Sequence, residues 1–201
     1  MEGFKVSLVN KIMWMEGMFL RPHHFQQQDH RTESLITSRV ASIAPFFWGF
    51  SKLKIESDFG KVRIKECEGA FLDGLAFSLS QGLSGVSALD IPDGAANKMV
   101  WLCAPSFSES SMLGEEVSDA GTDASTRYVI ETTMKHNLLA RGDTAEPIKI
   151  GTPNLFLKLG EPPERGVEYL PIAHVSEVKN GREVVFDPTF IPTITTVDAS
   201  I

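Results

Sequence analysis

The periodicity of the hydrophobic residues changes once along this chain, at Pro45. Between Pro22 and Ala44 there is no further glycine or proline, and apolar residues recur at the spacing of one helical face. These apolar residues are Phe25, Ile36, Val40 and Ile43. Because proline is tolerated in the first turn of a helix and stops a helix elsewhere, the pattern predicts a helix over residues 22–44.

After Pro45 the apolar residues alternate with polar ones at the period of a β-strand. Runs of this kind occur at residues 46–55, 61–71, 75–79, 127–135, 148–150, 154–159, 169–178 and 182–186. Residues 99–104 are apolar on both faces, which suits a strand in the centre of a sandwich. Asp73-Gly74 and Asn180-Gly181 are hairpin signals between neighbouring runs. Residues 81–97 and 105–123 predict loops, and we expect the acidic part, 109–123, to be poorly ordered. The pattern predicts a mainly β fold: an antiparallel, jelly-roll-like β-sandwich preceded by one N-terminal α-helix.

The first twenty residues, called the arm below, carry large apolar side chains outside any predicted helix or strand. These side chains are Met13, Trp14, Met15, Met18, Phe19 and Leu20. Gly17 interrupts the run and disfavours a long helix. A short extended segment cannot form a core alone, so its side chains need another surface to pack on. That surface is either the rest of this chain or a partner, and the sequence leaves both open.

Charge and composition exclude some classes of function. The 201 residues include 19 Lys and Arg and 26 Asp and Glu, which gives a formal net charge of -7. That field repels a phosphate backbone, so nucleic-acid binding is disfavoured. No apolar run reaches the roughly 18 residues of a membrane helix, and residues 1–10 lack the features of a signal peptide, so we expect no membrane insertion. Cys67 and Cys103 lie in apolar runs, which predicts buried thiols in a reducing cytosol.

The residues that could carry chemistry form no recognisable catalytic or metal-binding motif. His23 and His30 are seven apart and could share a helix face, but they lack the further ligands of a zinc site. His174 alternates with apolar residues in a strand, as a structural histidine would. Glu66 and Glu68 share a strand face, where a solvated surface is the simpler interpretation. The chain lacks a nucleophile elbow, a P-loop and a dinucleotide fingerprint, so we expect no enzyme activity, cofactor or metal.

One window is more distinctive than the rest of the sequence. Residues 14–29 read Trp-Met-Glu-Gly-Met-Phe-Leu-Arg-Pro-His-His-Phe-Gln-Gln-Gln-Asp. The window resembles the opening of the TssK family, also called ImpJ or VasE, whose members are baseplate components of bacterial type VI secretion systems. The family pattern is matched in register by Trp14, Glu16, Gly17, Met18, Leu20, Pro22, His24, Phe25, Gln26 and Gln27. Further similar stretches follow in the family's order at residues 69–74, 153–155, 170–173 and 186–192.

The resemblance implies a non-enzymatic structural adaptor at the cytoplasmic, inner face of the bacterial inner membrane. It implies the arm at residues 1–20, a β-sandwich shoulder domain at 21–190 and an exit toward a helical neck at 191–201. Because TssK-like proteins are considerably longer, we expect the neck, and the head that docks on the membrane complex, to lie outside this sequence. The resemblance also implies a homotrimer, in which the shoulder and the arm attach to a wedge of TssF-like and TssG-like subunits. Leu72 replaces a proline of the family and should alter only a hairpin entry.

The predicted partner-binding surface combines the arm with the start of the helix. Its residues are Met13, Trp14, Met15, Glu16, Gly17, Met18, Phe19, Leu20, Pro22, His24, Phe25, Gln26 and Gln27. Large apolar side chains beside glutamines that can form hydrogen bonds suit a protein interface. The alternative is a glycan-binding β-sandwich module. Sugar sites pair exposed aromatic residues with carboxylates, and the predicted loops contain only Phe107 as an aromatic residue, which disfavours that alternative.

Overall fold

The computed structural model describes residues 8–79, 86–108, 113–116, 125–137, 139, 144–179 and 182–196. Among them the helix α1 spans Pro22–Ile43. The strands are β1 Gly49–Asp58, β2 Lys61–Ala70, β3 Ala76–Leu79, β4 Leu89–Asp90, β5 Lys98–Pro105, β6 Gly114–Glu116, β7 Tyr128–His136, β8 Ala145–Pro153, β9 Phe156–Leu159, β10 Val167–Lys179 and β11 Glu183–Phe186.

Two four-stranded antiparallel sheets enclose the core of the described residues. In the first sheet β2 lies between β1 and β3 and also pairs with β4. The second sheet has the order β11-β10-β5-β9. Buried side chains from both sheets join in one cluster, whose largest members are Phe50, Phe71, Leu53, Ile91, Leu102, Leu170 and Ile172. The predicted mainly β sandwich behind one helix is therefore confirmed.

The strand β5 is the most deeply buried strand because it lies between β10 and β9. Val100, Leu102, Cys103 and Ala104 are all fully buried, on both faces of the strand. A strand that is apolar on both faces belongs in the middle of a sheet with both sides covered, as the sequence pattern predicted.

A third sheet adds β6, β7 and β8 in that order. The short β6 is parallel to β7, which departs from the antiparallel pattern of the other sheets. The strands β7 and β8 form nine antiparallel pairs, from Tyr128 opposite Pro153 to His136 opposite Ala145. Most side chains beyond Ile130 are exposed, so the outer half of this pair is a two-stranded ribbon in solvent.

Three local predictions were wrong. The predicted loops at 81–97 and 105–123 contain the short strands β4 and β6. The Asp73-Gly74 signal does mark a hairpin, but five residues connect β2 and β3 instead of two. The longer loop is held because the Asp73 carboxylate accepts a hydrogen bond from Leu75 N–H at 2.9 Å and Gly74 N–H donates to Phe71 O at 3.0 Å. Asn180-Gly181 and most of 109–123 lie outside the described residues.

The helix approaches the sandwich at the β2–β3 loop. Thr37 is the buried residue of α1, and a Cβ atom on Gly74 would lie only 2.2 Å from Thr37 Oγ1. Gly74 also has a φ of 92°, in the region that favours glycine. The absence of a side chain at this position therefore allows the helix to come close.

The segment predicted as the exit begins against β1. Phe50 N–H donates to Thr193 O at 2.8 Å, and Thr195 N–H donates to Phe50 O at 2.9 Å. These bonds form a short parallel bridge between Phe50 and Ile194. Residues 193–195 are therefore fixed to the edge of the first sheet.

Candidate partner-binding surface

The arm lies beside α1 and runs antiparallel to it. Val9 N–H donates to Ser34 Oγ at 3.1 Å, and the Arg31 guanidinium donates to Val9 O. One residue later, Asn10 O accepts a hydrogen bond from Gln27 Nε2 at 3.1 Å. Later residues of the arm thus contact earlier residues of the helix, and polar contacts fix this arrangement.

A glycine turn brings the arm back to the start of the helix. Gly17 has a φ of 77°, a backbone conformation that side chains disfavour. Met18 N–H donates to Met15 O at 3.3 Å across this turn. The sequence indicated that Gly17 would interrupt a helix, and in the structure it reverses the chain.

The first turn of α1 is tied to the tip of the arm. Arg21 is extended and Pro22 begins the helix, where its missing N–H costs no hydrogen bond. Arg21 N–H donates to His24 Nδ1 at 3.1 Å, which caps the helix start. The His24 ring lies edge-on to the indole of Trp14, with 6.1 Å between ring centroids. His24 therefore positions Trp14 and the helix start together.

The apolar side chains of the arm are on the surface. Met13, Met15 and Phe19 are 71%, 70% and 78% exposed, and Trp14, Leu20 and Phe25 are 50%, 54% and 55% exposed. None of the described arm residues, 8–20, is buried. The arm is held by hydrogen bonds to its own helix, while most of its large apolar side chains remain exposed and Met18 is half-buried.

The helix has a second exposed apolar surface, the helix stripe, formed by Phe25, Ile36, Val40 and Ile43. The amphipathic half of α1 turns this stripe away from the sandwich and buries Thr37 instead. Sequence reasoning did not foresee this orientation. The sequence indicates the stripe only through the spacing of its residues, and this spacing is the same whether the stripe is buried or exposed.

A cleft of about 660 Å³ separates the first half of α1 from the third sheet. His23, His30 and Glu33 line it from the helix, and Phe107, Tyr128 and Gly151 line it from the sandwich. The two histidines therefore share one helix face, as their spacing suggested. The His30 ring lies against Phe107, with 4.0 Å between ring centroids. Neither Phe107 nor Tyr128 was predicted as a site residue.

The other residues considered for chemistry are either buried or lie next to an oppositely charged side chain. Cys67 and Cys103 are buried and unpaired, and burial raises the pKa of both thiols to about 12. Glu66 forms an ion pair with Lys52 at 2.7 Å, and the hydrogen bond from Lys52 lowers the pKa of Glu66. His174 Nδ1 lies 3.4 Å from a carboxylate oxygen of Asp187. Within the described residues, no three His, Cys, Asp or Glu side chains could together hold a metal ion.

Comparison with known proteins places the chain in a family. Residues 24–201 match the family of bacterial type VI secretion proteins that includes EvfL, ImpJ and VasE. This chain belongs to that family. It is similar to the type VI secretion system baseplate component TssK1 of Pseudomonas aeruginosa, with 28% identity over 200 residues, 97% of this chain and 44% of the relative. The family member described here thus spans less than half the length of that relative.

Solved structures of TssK proteins share the fold of this family member. A crystal structure of TssK has a TM-score of 0.84 at 25% identity, covering 92% of this chain and 42% of the other. A chain of the TssK-TssF-TssG baseplate subcomplex has a TM-score of 0.80 at 17% identity, and the match covers 96% of this chain and 64% of the other. A chain of the type VI secretion baseplate complex has a TM-score of 0.78 at 18% identity, and the match covers 95% of this chain and 43% of the other. The resemblance to the TssK family is therefore confirmed. The described part of the chain contains no helix with both the length and the apolar character needed to cross a membrane.

Proposed function

We propose that this chain is a structural, non-enzymatic part of a type VI secretion baseplate. In this role the arm and the start of α1 attach it to wedge subunits that resemble TssF and TssG. Membership of the family supports this role, as does the occurrence of the same fold in a TssK-TssF-TssG baseplate subcomplex.

The observation that carries the proposal is the exposure of the apolar arm residues. Burying a Trp, Phe or Met side chain contributes roughly 1.5–3 kcal/mol each before the cost of ordering the segment. A hydrogen bond from Val9 to Ser34 and hydrogen bonds from Arg31 and Gln27 to the arm backbone already hold the arm beside α1. The ordering cost at binding is therefore smaller than for a free segment, and more of the burial energy remains for the contact.

Polar groups at the start of α1 complete the proposed surface. Gln27 donates to the arm, whereas the side chain of Gln26 is exposed and makes no hydrogen bond to the other described residues. Glu16 is exposed at the tip of the arm. A partner backbone could thus form hydrogen bonds to Gln26 and Glu16 at the rim of the apolar contact.

The proposal extends to the assembly around this chain. The chain acts as a homotrimer on the cytoplasmic side of the bacterial inner membrane. Contact with membrane-complex proteins is made by domains outside this sequence. Light scattering of the chain alone tests whether trimer contacts lie within it, and a clean monomer would place those contacts elsewhere.

A double variant, Trp14→Ala with Phe19→Ala, tests the surface directly. We expect it to fold normally and to lose most of the binding to the TssF-like and TssG-like pair of its own secretion system, measured by pull-down. The matched control is Phe59→Ala, because Phe59 and Phe19 are both 78% exposed while Phe59 lies at the turn between β1 and β2. Wedge capture that is unchanged in the double variant would contradict the assignment of the arm.

A further inference from the structure

The cleft between α1 and the third sheet has an excess of negative charge. Asp29 and Glu33 line it from the helix, and neither forms an ion pair within the described residues. Arg127 also lines the cleft, but it is already engaged. Its guanidinium lies 2.6 Å from an Asp73 carboxylate oxygen and donates to Pro105 O at 2.8 Å. Among the described residues that line the cleft, the carboxylates of Asp29 and Glu33 are therefore the charged groups without an ion-pair partner.

Aromatic rings form the floor beside these carboxylates. Phe107 is held against His30 at 4.0 Å between centroids and remains 38% exposed. Tyr128 forms the next part of the floor, and burial followed by the charge of Glu33 raises the pKa of its phenol. Glu33 and Tyr128 line the same cleft. Carboxylates next to aromatic faces are the surroundings that stabilise a cationic side chain.

We propose that this cleft binds an extended peptide segment of a partner protein that carries an arginine or a lysine. The volume of about 660 Å³ lies within the roughly 300–1,000 Å³ typical of ligand sites and exceeds the needs of one small cation. Gln26, which also lines the cleft, presents an amide that can pair with a peptide backbone. The carboxylates of Asp29 and Glu33 in the cleft favour a basic segment by charge complementarity. The formal net charge of -7 on the whole chain acts in the same direction.

The cleft and the arm adjoin each other at Gln26 and Gln27, but none of the described arm residues, 8–20, lines the cleft. Arg31 and Ser34 contact the arm, whereas His30 and Glu33 line the cleft; Gln27 donates to the arm and also lines the cleft. The inference therefore does not rest on the proposed function. A variant of the arm should leave peptide binding in the cleft unchanged.

Selection of displayed random linear peptides on this chain, followed by calorimetry of the recovered peptides, tests the inference. We expect every recovered peptide that competes for the cleft to contain an arginine or a lysine. Replacing that residue by neutral citrulline or acetyl-lysine should weaken binding about tenfold, as should the double variant Asp29→Asn with Glu33→Gln. Phe107→Ala, which removes part of the floor, should weaken it as well.

Two matched controls keep the result interpretable. The variant Glu131→Gln with Glu164→Gln removes two exposed carboxylates outside the cleft and should leave affinity within about twofold. Trp14→Ala with Phe19→Ala should also leave it unchanged, which separates this inference from the proposed function of the arm. Recovery of no peptide, recovery of peptides without a basic residue, or equal affinity for the Asp29 and Glu33 double variant would overturn the inference.

Discussion

The sandwich core and the layer formed by the arm and α1 use apolar side chains in opposite ways. In the sandwich, Phe50 and Phe71 are fully buried and pack against Phe77 with ring centroids 5.8 and 4.9 Å apart. In the layer, residues 8–48, only Thr37 is buried. The sandwich thus closes its apolar surface internally, whereas the layer leaves most of its apolar surface in water.

This difference separates stability from binding within one chain. Burial of apolar surface determines the global free energy of unfolding, so the sandwich should dominate it. The layer meets the sandwich at the Thr37–Gly74 contact and the His30–Phe107 contact. A region with few buried apolar contacts opens at low free energy, and it can adapt to a partner without unfolding the core.

Phe71→Ala should have the largest effect on stability. Loss of a fully buried phenylalanine costs about 3–5 kcal/mol, because transfer energy is lost and a cavity remains. The free energy of unfolding in urea measures this cost. Phe59→Ala, at a 78% exposed position, should change it by less than about 0.5 kcal/mol. Equal costs for the two variants would abolish the distinction between core and surface.

Gly74→Ala should affect the attachment of the layer more than the sandwich. The new Cβ would meet Thr37 at a position with positive φ, so we expect a cost of about 1–3 kcal/mol and faster amide hydrogen exchange in α1. Gly94→Ala is the matched control, because a Cβ there meets nothing within 4 Å. If exchange in α1 is unchanged while β5 loses protection, this loop supports the core and does not position the helix.

Much of the fold was predictable because its signals are local. Proline at both ends bounded the helix, and two-residue alternation located most of the strands. The strands β4 and β6 were missed because they contain two and three residues, too few for a period to be visible. The length of the β2–β3 loop was also missed, since it depends on the hydrogen bonds of the Asp73 side chain and the Gly74 backbone.

For the arm, the sequence predicted the need for another surface to pack on, but not which surface. Its Trp, Met and Phe residues lie outside any periodic element and therefore could not form a core of their own. The orientation of α1 was not predictable, because it depends on which side chain fits against Gly74, more than thirty residues away along the chain. The cleft combines the helix with Phe107 and Tyr128, and only the folded sandwich brings them together.

The Glu168 carboxyl in the sandwich should make the free energy of unfolding depend on pH, with a smaller effect than the substitutions above. Burial raises the pKa of the Glu168 carboxyl, although a hydrogen bond from Ser106 Oγ at 2.7 Å opposes the rise. The folded state then binds a proton more tightly than the unfolded state, whose glutamate pKa is about 4.3. This contribution to stability is present below about pH 4.3 and is lost as the pH rises through the folded pKa.

The variant Glu168→Gln has no carboxyl to ionise at this position, so it should not lose this stability as the pH rises. The difference in the free energy of unfolding between the variant and the natural chain should increase in favour of the variant from acidic to neutral pH. Urea titrations at a series of pH values measure the difference, with Glu164→Gln, an exposed carboxylate nearby in sequence, as the matched control. A flat difference across that range would show that the pKa of Glu168 does not change on folding.

Trp14→Ala with Phe19→Ala should have the smallest effect on stability, within about 0.5 kcal/mol, because both side chains are at least half exposed. The same variant is expected to lose binding to the wedge, so it separates the two uses of apolar surface most clearly. The Trp14–His24 contact is a point at which an apolar side chain of the arm supports the helix start. Trp14→Ala alone, followed by circular dichroism of the helix, tests that support, and a large loss of helicity or stability would mean that the arm is part of the folded core.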